Sequence, residues 1–383
     1  MTAITTHALQ AATLINSAKA PTARQEDKAQ PTPLPIDSFE RIAADHAKTG
    51  VDPRLLQSIE SEKIARTENP VFPSSPLVDI QEFSVIAEKL SAEAALNLQP
   101  GNRSGFLKSQ IEPVKGVVLA LHGWSAGTWQ FEHMATQLTD QGYHVYAPRL
   151  PGHGLVNSSG KAVSTGFPQN DESQIYRDYA DATYAEAASV GLPISIVGLS
   201  GGGAIALDIA GRYPDIQSAT LYDPFLSPAN PAEALVNAAQ FIDRFTFGFA
   251  SYLLRLIPIV FGNAKSDRDA WGRDGHVDFD GGMIFGLSQY GQRAVADSGN
   301  SSVPLQIVSS EYESNVVSRT LLKEVYEANT ATRGWYHFPT EAEVPHAMIH
   351  WREFENDQSR AELRSLTFDF IDQLNPATFN RPR

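Results

Sequence analysis

Residues 194–203 read Ile194-Ser195-Ile196-Val197-Gly198-Leu199-Ser200-Gly201-Gly202-Gly203, and the order of residue types here decides the fold. Ile194–Val197 is a short apolar, β-branched run, the pattern of a buried strand. From Gly201 to Tyr213, alanines and branched aliphatics recur at helical spacing. A strand that enters a helix through Gly198-x-Ser200-x-Gly202 must turn sharply at the serine, and the residues two places to either side must be small for strand and helix to approach closely. The hydroxyl is thereby raised at the corner, and the positive end of the helix faces any negative charge that develops there. The plain alternative is a glycine-rich turn that merely starts a helix. The strand before and the alanine-rich helix after favour a serine nucleophile at Ser200.

Working outward, short β-branched runs alternate with amphipathic segments of helical length. Strands are expected at Val114–Leu121, His144–Ala147, Ser218–Tyr222, Pro304–Val308 and Trp335–Phe338, and helices at Thr128–Gln141, Tyr176–Ser189 and Arg360–Leu374. This alternation implies an α/β fold with a mainly parallel central sheet covered by helices on both faces. Between Tyr222 and Pro304 the alternation stops for a stretch too long for a plain connection. Leu235, Ala239, Ile242, Phe245, Phe249 and Leu253 fall at helical spacing there. The segment 226–300 is therefore expected to be an inserted helical cap between two parts of one core, 76–225 and 301–383. The apolar stripe Leu235–Leu256 is either core or a hydrophobic wall for an acyl chain. Residues 1–75 read as a partly disordered arm, with a Pro-, Gln- and charge-rich linker at Ala20–Pro35.

Two further loops follow expected strands. Leu121-His122-Gly123-Trp124-Ser125 stands where backbone N–H groups would receive an oxyanion, with the amides of Trp124 and Gly201 as the donor pair. His122 is expected to brace this loop rather than to move protons, while Trp124 and Trp129 are candidates to line the cleft. Pro148-Arg149-Leu150-Pro151-Gly152-His153-Gly154 reads as a rigid turn beside the site. The ordered motifs LHGW, PRLPGHG and GLSGGG resemble the α/β-hydrolase superfamily, nearest its carboxylesterase, monoglyceride-lipase and lysophospholipase-like branch. The resemblance covers roughly residues 100–375.

In that fold the nucleophile is followed along the chain by an acid and then a histidine. Four histidines follow Ser200: His276, His337, His346 and His350. His346 falls in the loop just after the last expected strand, where the resemblance places the base; His350 is the fallback, and His337 lies within the strand itself. For the acid, Ser310-Glu311-Tyr312-Glu313-Ser314-Asn315-Val316 resembles the family's small-x-x-Asp-x-x-Val pattern with Glu313 in the acid's place. Asp223, before Pro224 at the end of the preceding strand, is the rival, and its own alternative is a turn that opens the cap. Motif position favours Glu313. The resemblance then implies a cofactor-free serine hydrolase cleaving carboxylic esters of small molecules, and the greasy expected cap favours a lipophilic acyl or aryl ester over a charged substrate. Amide, thioester or carbon–carbon bond hydrolysis by the same groups, or a ligand-binding relative without catalysis, are the competing readings.

Composition narrows the partners. Of 383 residues, 30 are Lys or Arg and 44 Asp or Glu, so the net charge is −14, which disfavours nucleic acid and anionic membrane surfaces. With no cysteine there is no disulfide, no thiolate zinc site and no thiol nucleophile. The ten histidines show no H-E-x-x-H or tight His/Asp cluster, so no metal is expected. No Lys-Ser/Thr follows Gly201–Gly203, so this is not a phosphate loop. The longest greasy stretch, Phe249–Phe261, is broken by Arg255 and Pro258 and is too short to span a bilayer. Ala8–Ala18 lacks the basic start and dense apolar centre of an export signal, so the expected location is the cytoplasm, with secretion as the alternative.

Overall fold

The computed structural model describes residues 72–99, 101–169, 172–229, 237–238, 258–259, 279–299, 301–312, 317–331, 333–349 and 357–374. Seven strands form one sheet: β1 Gly105–Leu107, β2 Gly116–Leu121, β3 Tyr143–Ala147, β4 Ile194–Leu199, β5 Ser218–Tyr222, β6 Leu305–Ser310 and β7 Arg333–Phe338. Their order is β1-β3-β2-β4-β5-β6-β7. Only β1 runs antiparallel, with Phe106 opposite Tyr146. The other neighbours are parallel, with Leu119 opposite Ile196, Gly198 opposite Leu221, and Leu221 opposite Ile307. The chain reverses its direction of travel across the sheet between β2 and β4. The crevice outside their C-terminal ends is where open α/β sheets bind ligands.

Every residue of β2 through β6 is buried, as expected for parallel strands sandwiched between helices. Alternation distributes the side chains. Val117, Leu119 and Leu121 join Ile196, Leu221 and Ile307 in one apolar cluster, while Val118 and Ala120 join Val145, Val197 and Leu199 in the other. Helices α3 Ser173–Ala188, α4 Gly201–Arg212 and α5 Gly281–Ser298 cover the first cluster through Tyr176, Ile205 and Tyr290. Helices α2 Glu132–Asp140 and α7 Asp357–Gln373 cover the second through Met134, Leu138, Leu363 and Phe368.

Several elements lie beyond the expected set. Helix α1 Ser84–Ala94 and the three-residue β1 precede β2, and helix α6 Arg319–Ala328 lies between β6 and β7. The helix expected from Thr128 opens as a 3-10 turn, Thr128–Phe131, before α2. The arm up to residue 71 lies outside the described residues, as does most of the segment 226–300. Its described C-terminal part, α5, packs on α4: Tyr290 OH donates to the buried Asp208 carboxylate at 2.9 Å, and Arg212 donates to both oxygens of the same group. Among the described residues no helix is long and apolar enough to cross a membrane.

Candidate active site

Ser200 stands at the N-cap of α4 with φ 52° and ψ −114°, a backbone region that side-chain-bearing residues seldom adopt. Two hydrogen bonds hold the turn. The Ser200 N–H donates to the Tyr222 carbonyl at 2.8 Å, and the Phe225 N–H donates to the Ser200 carbonyl at 2.8 Å. The turn carrying Ser200 is thus laced to the turn carrying Asp223. The flanking glycines are a steric necessity. A Cβ on Gly198 would lie 2.4 Å from the Gly202 carbonyl oxygen, and one on Gly202 would lie 2.1 Å from that of Leu121.

The loop after β2 lies against the same corner. A Cβ on Gly201 would sit 2.8 Å from Trp124 Cβ and 3.3 Å from Trp124 N, so the two amides expected as oxyanion donors are neighbours. Ser125 is left-handed at φ 75°. The Gly123 N–H donates to Gln130 Oε1 at 2.8 Å. His122 is fully buried: its Nε2 accepts the Leu150 N–H at 3.1 Å, which leaves Nδ1–H to donate to the Gly123 carbonyl at 2.9 Å. Its ring therefore ties the β2 loop to the β3 loop. His153 repeats the pattern, with Nε2 accepting from Ser125 N–H at 3.1 Å and Nδ1–H donating to the Pro151 carbonyl at 2.9 Å.

Beside these donors lies an aromatic wall. The Trp124 ring is 4.2 Å from Phe279 and 5.3 Å from Phe167, centroid to centroid, and its indole N–H donates to the buried Tyr176 hydroxyl at 3.2 Å. Leu287 of α5 would be 3.6 Å from a Cβ on Gly201. Trp129 is buried in the 3-10 turn against Gly127. The sequence does not mark Phe167 or Phe279 as site residues, because both come from irregular or very short segments with no periodic signal.

At the ends of β5 and β6 a carboxylate meets an imidazole. Asp223 is buried at φ 36°, and its N–H donates to the Val308 carbonyl at 2.8 Å. Asp223 Oδ1 accepts the Ser310 N–H at 3.3 Å, and Asp223 Oδ2 lies 3.7 Å from His346 Nδ1. Burial raises the Asp223 pKa above the ordinary aspartate value; His346 and the Ser310 amide pull it back only in part. The Ser310 hydroxyl donates to the Val344 carbonyl at 2.5 Å, anchoring the His346 loop to β6. His337 is occupied elsewhere, with Nδ1 at 2.8 Å from the Ser309 hydroxyl and Nε2 at 3.8 Å from exposed Glu311. Glu313, His276 and His350 lie outside the described residues. The structure therefore gathers Ser200, Trp124, Gly201, Asp223 and His346 at one end of the sheet. Among the described residues no group of three His, Asp or Glu side chains could hold a metal ion.

Comparison with known proteins agrees with this architecture. Residues 112–340 match the family model described as serine aminopeptidase, S33. A pimeloyl-[acyl-carrier protein] methyl ester esterase of Neisseria meningitidis is 34% identical over 108 residues, 28% of this chain. The chain spans only about a third (36%) of that relative's length. Among solved structures, a soluble variant of monoglyceride lipase from Saccharomyces cerevisiae, in complex with a substrate analog, superposes with a TM-score of 0.52 at 14% identity, covering 71% of this chain and 91% of that one. The protein DcsB, in complex with its substrate analogue, gives a TM-score of 0.50 at 14% identity over 71% and 94% of the two chains. At such identities the likeness is one of fold.

Proposed function

The chain belongs to the serine aminopeptidase S33 family of α/β-hydrolases, and from that premise we propose that it cleaves carboxylic esters of lipophilic acyl or aryl groups through an acyl-enzyme on Ser200. His346 is the base, Asp223 the acid that orients it, and the amides of Trp124 and Gly201 are the oxyanion donors. The observation that carries the reading is the approach of His346 Nδ1 to Asp223 Oδ2, 3.7 Å, at the sheet end that also bears Ser200.

The chemistry follows from the positions. His346 takes the Ser200 proton as the hydroxyl oxygen attacks the ester carbonyl. Two N–H groups fixed side by side then stabilise the oxyanion without reorganising, and loss of one such donor typically costs about 3 kcal/mol. The alcohol leaves with the proton held on His346, and water attacks the acyl-enzyme by the reverse path. The buried Asp223 carboxylate keeps the imidazole in the tautomer that presents Nε2 as acceptor, and balances its charge in the transition state without taking its proton. The aromatic wall of Trp124, Phe167 and Phe279 beside the donors supports a lipophilic rather than a charged substrate. The short likeness to a methyl ester esterase points the same way.

This reading takes Asp223 in place of Glu313. A p-nitrophenyl ester panel of rising acyl length, run on wild type, Asp223→Asn and Glu313→Gln, tests it. Asp223→Asn is expected to lower kcat about 10⁴-fold, the usual scale for a mis-set imidazole tautomer, and Glu313→Gln to leave it within about two-fold. The reverse order makes Glu313 the acid. Turnover of aminoacyl p-nitroanilides with none of any ester would replace the ester reading by an amide one.

A further inference from the structure

The oxyanion loop is held from outside the region that the family model matches. Glu93, near the end of α1, is buried, with Oε2 accepting the Ser104 N–H at 2.8 Å and Oε1 accepting the Ser104 hydroxyl at 3.0 Å. Ser104 Oγ accepts the Arg149 N–H at 2.8 Å, and Arg149 Nε lies 3.4 Å from Glu93 Oε1. From there the guanidinium donates to the His153 carbonyl at 2.8 Å. His153 Nε2 in turn holds the N–H of Ser125, the residue after Trp124. Buried Asn102 is wedged between the two loops: a Cβ on Gly127 would lie 2.2 Å from its Oδ1, and one on Gly154 would lie 2.5 Å from its Cβ. The Thr128 hydroxyl closes the contact by donating to the Arg103 carbonyl at 2.7 Å.

A buried ion pair is a weak source of stability, because desolvation offsets most of its attraction; its best-attested use is to fix register. The register at stake here is that of Ser125, whose left-handed backbone persists only where surroundings over-determine it. We propose that Glu93 and Arg149 are positioning residues for the oxyanion hole, setting the Trp124 amide through His153 and Ser125, so that α1 and residues 102–104 are part of the catalytic apparatus. This inference rests on the serine-esterase reading above.

The test uses the full chain. The variant Glu93→Gln/Arg149→Met removes both charges together, so neither is left buried alone, and Arg149→Lys keeps a donor able to reach the His153 carbonyl. Each is assayed with p-nitrophenyl butyrate and with two inhibitors, a trifluoromethyl ketone that adds to Ser200 as a tetrahedral oxyanion and the matching methyl ketone. The double variant should lose about ten-fold or more in kcat with KM within about two-fold, as expected when a contact made in the transition state is lost. It should lose trifluoromethyl-ketone affinity by a similar factor and keep that for the methyl ketone, and Arg149→Lys should recover most of the loss. A folded double variant with wild-type kcat overturns the proposal, as does equal loss of both ketones, which would mark general support of the cleft. Should the double variant not fold, Arg149→Gln carries the same comparison, with the same two outcomes. Wild-type protein that neither hydrolyses esters nor binds the trifluoromethyl ketone overturns the esterase reading itself, a result distinct from any variant's behaviour.

Discussion

Asp223 is under opposing demands. Burial disfavours its charge, and the pull of His346 and of the Ser310 amide does not fully offset that, so its folded pKa lies above the unfolded one. Between the two values the native state holds the proton that the unfolded chain has released. Stability on this account falls as pH rises through the raised pKa, and the ionised carboxylate is a net burden to the fold above it. Asp223→Asn keeps an oxygen for Ser310 and removes that burden. Thermal melting at pH 8 should therefore give a higher melting temperature for Asp223→Asn than for wild type, with the gap closing as pH is lowered through the folded pKa. A variant less stable than wild type at pH 8 would show that the carboxylate holds the fold together and is not a strained functional group.

The site exists because β2, β4 and α4 approach with no side chain between them. A methyl on Gly202 would meet the carbonyl oxygens of both Leu121 and His122, at 2.1 and 2.5 Å, and neither is a flexible end that can swing aside. Gly202→Ala should push α4 away from β2, costing about 1–3 kcal/mol as overpacking commonly does. It should also lower kcat by separating the Gly201 and Trp124 amides. Urea unfolding and ester turnover check this, and wild-type stability would refute it. This requirement is local, which is why the Gly-x-Ser-x-Gly stretch and the strand–helix alternation around it were legible in the sequence. The choice of acid is not legible in the same way. Asp223 and the 310–316 loop follow neighbouring parallel strands, and chain order alone does not say which of two adjacent strand ends faces the imidazole; Asp223 lies 3.7 Å from His346, while Glu313 is outside the described residues. The three-residue β1 is too short to show a period. The sequence does carry a signal for helix α6, in Ser318, which caps it, and in Leu322 and Val325 on its buried face.

At the scale of the whole molecule, the reversal of strand order between β2 and β4 makes the crevice, and four loops fill it. The β2 loop brings Trp124, the β4 turn Ser200, the β5 turn Asp223 and the loop after β7 His346. The β3 loop braces the first of these through His122 and His153. The net charge of −14 opposes the approach of an anionic substrate and leaves a neutral ester of the proposed kind unopposed. The proposed chemistry converges on one oxygen, the Ser200 hydroxyl. The most direct measurement is mass spectrometry of the full chain after exposure to a fluorophosphonate, in wild type and in Ser200→Ala. The account predicts a single adduct on the wild-type peptide containing Ser200 and none on the variant. Wild-type protein without an adduct, or Ser200→Ala labelled as fast as wild type, would contradict it.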